Sequence, residues 1–203
     1  MEKHKRLPGV THPLWLLVSH WLNAVAVVVM VLSGWRIYDA SPVFLFVFFP
    51  PRFTLGGWLA GALNWHFAAM WLLFGNGMFY LGMSAATGRL KEKFFPLSLK
   101  ELWRDIGRTL RLNLHHDDLT HYNIIQKLSY LVALISLVMM VLSGLVLWKS
   151  VQFPLLRTLL SGYDTARVVH FVFMGVIAAF TLVHVFMAAL VPRTIKGMLL
   201  GKF

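Results

Sequence analysis

Four of the nine histidines, His20, His66, His170 and His184, interrupt long apolar runs. A neutral imidazole offers one nitrogen lone pair to a metal, and a hydrogen bond can fix its other ring nitrogen. Ionisable side chains inside a membrane segment are costly and mark functional sites by default. His170 and His184 are 14 positions apart. On a helix that is roughly 21 Å along the axis, with a drift of only about 40° around it. One helix can therefore present two imidazoles from nearly one face, at two depths.

The elements that carry these residues are membrane spans. The chain has 203 residues, of which 58% are hydrophobic and 13% charged. An ordinary soluble domain carries about 25% charged residues. A helix needs roughly 20 apolar residues to cross the hydrocarbon. Four segments qualify, at about 14–35, 58–83, 124–148 and 168–191. The apolar run Val43 to Phe49 is too short and is bracketed by Pro42, Pro50 and Pro51, so it is expected to dip into the interface. The start of the chain is basic, but the apolar run that follows is too long for a signal peptide and has no small-residue cleavage site, so it reads as a retained first helix.

The expected fold is all-α: one integral membrane domain over 1–203, a four-helix bundle. The formal charge of +11 does not point to nucleic acid, because the basic residues fall in the gaps between spans. Lys3, Lys5, Arg6, the series from Arg89 to Lys127, Arg193, Lys196 and Lys202 lie on one side. Arg36, Arg52, Lys149, Arg157 and Arg167 lie on the other. The positive-inside rule then makes both termini cytoplasmic. Between the second and third spans, Leu99, Leu102, Trp103, Ile106 and Leu110 recur at helical spacing. Ser98 and Glu101 form a capping box ahead of them. This predicts an amphipathic surface helix at about 98–112.

Depth now pairs the histidines. His20 lies in the cytoplasmic half of the first span and His184 in that of the fourth. His66 and His170 lie in the outer halves of the second and fourth. Each level thus has two imidazoles from two helices, which is the axial ligand set of an electron-transfer haem. There are no cysteines, so any haem is held non-covalently and thiolate iron–sulfur clusters are excluded. Zinc fits less well, since it favours ligands clustered at one level. The expected cofactors are two haem b groups, one on His20–His184 and one on His66–His170. His4 and His12 flank the first span. His115, His116 and His121 lie in the cytoplasmic connection and read as loop residues. Met30-Val31-Leu32-Ser33-Gly34 recurs as Met140-Val141-Leu142-Ser143-Gly144. Small residues there allow a helix or a flat macrocycle to approach closely.

The chain resembles the di-haem b-type cytochrome subunits of the bacterial cytochrome b561 class, found with thiosulfate reductases, formate dehydrogenases and nickel-iron hydrogenases. The matching residues are His20-Trp21-Leu22-Asn23-Ala24 with Ser33-Gly34, His66, Tyr122 to Lys127 with Tyr130, Arg167-Val168-Val169-His170, and His184. The resemblance implies the same pairing. It also implies a quinone, ubiquinone or menaquinone, bound near the inner haem at Asn123, with Gln126 and Lys127 beside it. Arg36 and Arg167 are candidate contacts for the propionates of the outer haem.

The leading expectation is a multi-pass protein of the bacterial inner membrane. It transfers electrons between the quinone pool and a periplasmic oxidoreductase, most readily a molybdopterin enzyme. Two others stay open: a stand-alone quinone-linked oxidoreductase of a small molecule such as superoxide, and a non-redox membrane anchor or transporter.

Overall fold

The computed structural model describes residues 13–88, 124–190 and 192–201, without the side chains of 124–127, 192–194 and 200. The expected surface helix at 98–112 lies outside the described residues, as do Asn123 and the histidines at 4, 12, 115, 116 and 121. The described residues form helices α1 (Leu14–Ala40), α2 (Leu59–Ala86), α3 (Ile124–Lys149), α4 (Pro154–Leu159), α5 (Tyr163–Leu190) and α6 (Pro192–Leu200), with one 3-10 turn at Pro51–Phe53. Among them, α1, α3 and α5 contain stretches long and apolar enough to cross a membrane. Helix α2 has the length, at 28 residues, but Asn64, His66, Asn76 and several glycines dilute its apolar run.

Helix α2 runs three residues past its expected end, to Ala86, and two other boundaries differ by five. Helix α1 continues past Trp35 to Ala40, because Arg36 and Asp39 are compatible with helix where a span reaches the interface. Helix α5 begins at Tyr163 rather than 168, and Asp164 and Arg167 form an i,i+3 pair in its first turn at 3.9 Å.

Helix α1 packs along α2, and α3 along α5. The buried positions are mostly small: Ala26, Ala62, Ala69, Ala133, Ala166, Ser33, Ser136 and Ser143. Small residues let backbones approach closely where lipid removes any hydrophobic gain between helices. Large side chains such as Leu182, Val183, Phe186 and Leu190 face outward instead, as expected of a lipid-facing surface.

Side chains join the two hairpins. Tyr38 of α1 stacks on Phe171 of α5, with ring centres 4.4 Å apart. Trp148 of α3 meets Phe67 and Trp71 of α2 at 5.5 and 6.2 Å. The four long helices therefore neighbour one another in the order α1, α2, α3, α5. The end with the 41–58 and 150–162 connections is termed outer, after the charge-based expectation.

The 41–58 connection is pinned down. The Tyr38 hydroxyl donates to the Phe44 carbonyl at 2.9 Å and accepts from the Phe44 N–H at 3.0 Å. Asp39 accepts from the Phe49 N–H at 3.1 Å, and Phe49 stacks on Trp35 at 4.6 Å. The Leu55 N–H donates to the Leu32 carbonyl at 3.0 Å. Gly56 then turns the chain into α2 with φ 105°, where a Cβ would lie 2.4 Å from the Ala62 backbone.

Candidate cofactor site

The four histidines of the long helices meet in two pairs. His66 of α2 faces His170 of α5, with ring centres 6.4 Å apart and planes at 59°. His20 of α1 faces His184 of α5 at 6.1 Å and 63°. Two imidazoles on opposite sides of one metal, each bond about 2.0–2.1 Å, have ring centres roughly 6.3 Å apart. At a tetrahedral angle the same bonds give only roughly 5.2 Å. Both pairs match the opposed arrangement. Among the described residues no group of three or more His, Asp or Glu could hold a metal. Each pair thus has the separation of two imidazoles that share one metal, whose remaining positions would come from the cofactor. That is what a porphyrin supplies, so the residues present fit b-type haem.

The outer pair is held by hydroxyls. Ser33 of α1 lies with its Oγ 3.1 Å from His66 Nδ1. Ser143 of α3 lies with its Oγ 2.9 Å from His170 Nδ1. The same hydroxyls donate to the carbonyls of Val29 and Met139, each at 2.6 Å. The glycine after each serine gives the ring room. A Cβ on Gly34 would sit 3.5 Å from His66 Cε1, and one on Gly144 would sit 3.3 Å from His170 Cε1. The repeated Ser-Gly step therefore flanks the outer imidazoles. The sequence marked the repeat but not its partner, since only the helix register places each serine beside a histidine of the next helix in its own hairpin.

The inner pair is held by rings. His184 stacks on Phe180 at 5.8 Å with planes 11° apart, and Tyr130 meets Phe180 edge-on at 5.9 Å. His20 lies 5.4 Å from the Trp21 ring. Trp21 Nε1 donates to the Met198 carbonyl of α6 at 3.0 Å, so the short C-terminal helix lies across this end. Asn76 of α2, a position sequence reasoning passed over, donates to the Ser19 carbonyl and to Asn23 Oδ1, both at 2.7 Å. These bonds join α1 to α2 beside His20 without touching its ring. An asparagine within an apolar run was the available signal.

Arg167 reaches across to the end of α1, donating to the carbonyl and the hydroxyl of Ser41. Arg36 is half-buried at the outer level, two residues after Gly34. Of the residues expected near a quinone, Asn123 and the side chains of Gln126 and Lys127 lie outside the described residues.

The comparisons with known proteins agree with this chemistry. The family model described as prokaryotic cytochrome b561 matches residues 11–201. The chain is 59% identical over 190 residues to a protein of Azospira oryzae named "Putative protein-methionine-sulfoxide reductase subunit YedZ1", covering 94% of this chain and 96% of that one. No solved structure matches. With its opposed imidazole pairs and a match along nearly its whole length, the chain belongs to the prokaryotic cytochrome b561 family of electron-transfer membrane proteins that carry b-type haem.

Proposed function

We propose that the chain is a di-haem b-type cytochrome of the bacterial inner membrane. It would carry electrons from the quinone pool to a periplasmic molybdopterin reductase that acts on oxidised methionine. The reading rests on one observation, the two imidazole pairs at 6.1 and 6.4 Å. The partner is inferred from the name of the Azospira oryzae relative, a methionine-sulfoxide reductase subunit.

In this reading the chain is one membrane domain and all four long helices cross the membrane, α2 included, with both termini cytoplasmic. His20 and His184 hold the inner haem, His66 and His170 the outer. A haem held between two histidines would supply a reversible one-electron couple there, with no position left for a substrate. The protein's own groups orient and insulate that couple. Helix α5 gives a ligand to each level, α1 and α2 give one each, and outward-facing apolar side chains keep the sites in lipid. Arg36 and Arg167 are the outer-level cations for propionates, Arg167 while tied to Ser41. Asn123, Gln126 and Lys127 would bind ubiquinone or menaquinone at the cytoplasmic interface. Each quinol oxidised releases two electrons and two protons. Each sulfoxide reduced consumes two of each and yields a thioether and water, so the overall reaction balances.

The test is optical and functional. The purified chain should show reducible b-type haem at about two per chain, as four ligands require. Membranes holding the chain and its co-expressed periplasmic reductase should reduce a methionine-sulfoxide peptide at the expense of quinol. A preparation with full reductase but no b-type spectrum sinks the reading.

A further inference from the structure

The two copies of the Met-Val-Leu-Ser-Gly repeat end beside the two outer histidines. In each, a serine oxygen stands 2.6 Å from the carbonyl four residues earlier. A carbonyl has no proton to give, so each hydroxyl must donate its single hydrogen there. The same oxygen is 3.1 Å from Nδ1 of His66 in one copy and 2.9 Å from Nδ1 of His170 in the other. With its hydrogen committed, the oxygen can only accept, so Nδ1 must carry the proton. In a neutral imidazole this leaves the lone pair on Nε2. No ring nitrogen of His20 or His184 has a hydrogen bond among the described residues.

We propose that Ser33 and Ser143 are matched positioning residues for the outer site. Each fixes its histidine as the Nδ1–H tautomer, with Nε2 free for iron, and the pair lowers the reduction potential of the outer haem. The inference rests on the reading of His66 and His170 as axial ligands. Its physical basis is that an acceptor on the far ring nitrogen raises the basicity of a metal-bound imidazole. A more basic ligand favours the oxidised metal. Because the two serines sit on different hairpins and act on different rings, their effects add. The inner site shows no such acceptor among the described residues.

The experiment uses Ser33→Ala, Ser143→Ala, the double variant, and Ser33→Thr and Ser143→Thr in the full-length chain. Redox titration is followed optically and by low-temperature electron paramagnetic resonance. Each alanine variant is expected to raise the potential of one of the two b-type transitions and leave the other in place. The change expected is from a few-fold to about tenfold in the reduced-to-oxidised ratio, the upper end being about 59 mV for a one-electron couple. The double variant moves it further, and threonine, which keeps the hydroxyl, restores it. Two bound haems with unchanged potentials and spectra in the double variant overturn the proposal and leave the ligand reading standing. Retention of both haems in His66→Ala and His170→Ala overturns the ligand reading itself. If an alanine variant binds no outer haem, threonine decides. Retention at the native potential supports the seat, and equal loss overturns it.

Discussion

The outer and inner histidine pairs use the same ligand type and nearly the same ring separation, 6.4 and 6.1 Å. Their surroundings differ in kind. The outer rings are gripped at Nδ1 by serines on neighbouring helices. The connection that follows α1 is tied back to it by Tyr38, Asp39 and Leu55. The inner rings lean on Trp21 and Phe180. Their nearby polar bonds, made by Asn76, hold helices rather than imidazoles. Even the Ser19 hydroxyl next to His20 is buried with no partner among the described residues. One site is built for fixed geometry. The other holds its imidazoles by ring contacts alone among the described residues.

The largest effect should come from removing ligands. His66→Ala should abolish the outer haem and keep most of the inner, while His20→Ala should do the reverse. Haem quantitation with potentiometry checks this, and equal loss of both haems from each variant would break the division into two levels. A smaller effect is expected from Asn76→Ala, which removes two interhelical bonds beside the inner pair and should cost about 1–2 kcal/mol. Thermal loss of the inner spectrum should come earlier, with the outer potential unmoved. A shifted outer potential would show that the two sites are mechanically one. The smallest change should follow Trp21→Phe, which removes the bond to α6 at a cost of about 0.5–1 kcal/mol. Faster hydrogen exchange in 192–200 should accompany it, with both haems kept.

Much of this arrangement was legible in the sequence because the physics is strong and local. A histidine in an apolar run is conspicuous, and 14 positions on a helix have one geometric meaning. What stayed hidden depends on register between helices. Ser33 and Ser143 were visible as a repeat, but nothing in their own windows says which ring they meet. The contact of Trp21 with Met198 joins residues 177 positions apart, and α6, at nine residues, is too short to stand out by its apolar pattern. Asn76 was passed over because it offers no metal-binding group, although its burial makes it the main polar tie within the first hairpin. Arg36 and Asp39 look like the edge of a span, yet α1 carries them on to Ala40, because a helix readily takes such residues into the interface.

The serine grip also bears on how the protein comes together in the cell. Ser33 and His66 sit on α1 and α2, and Ser143 and His170 on α3 and α5, so each hairpin orients its own outer imidazole from within. As the chain leaves the ribosome, the first hairpin can have its imidazole set before the second is made. The second can enter the bilayer with its own already aimed. A cofactor taken up between His66 and His170 would then meet two imidazoles that are already oriented.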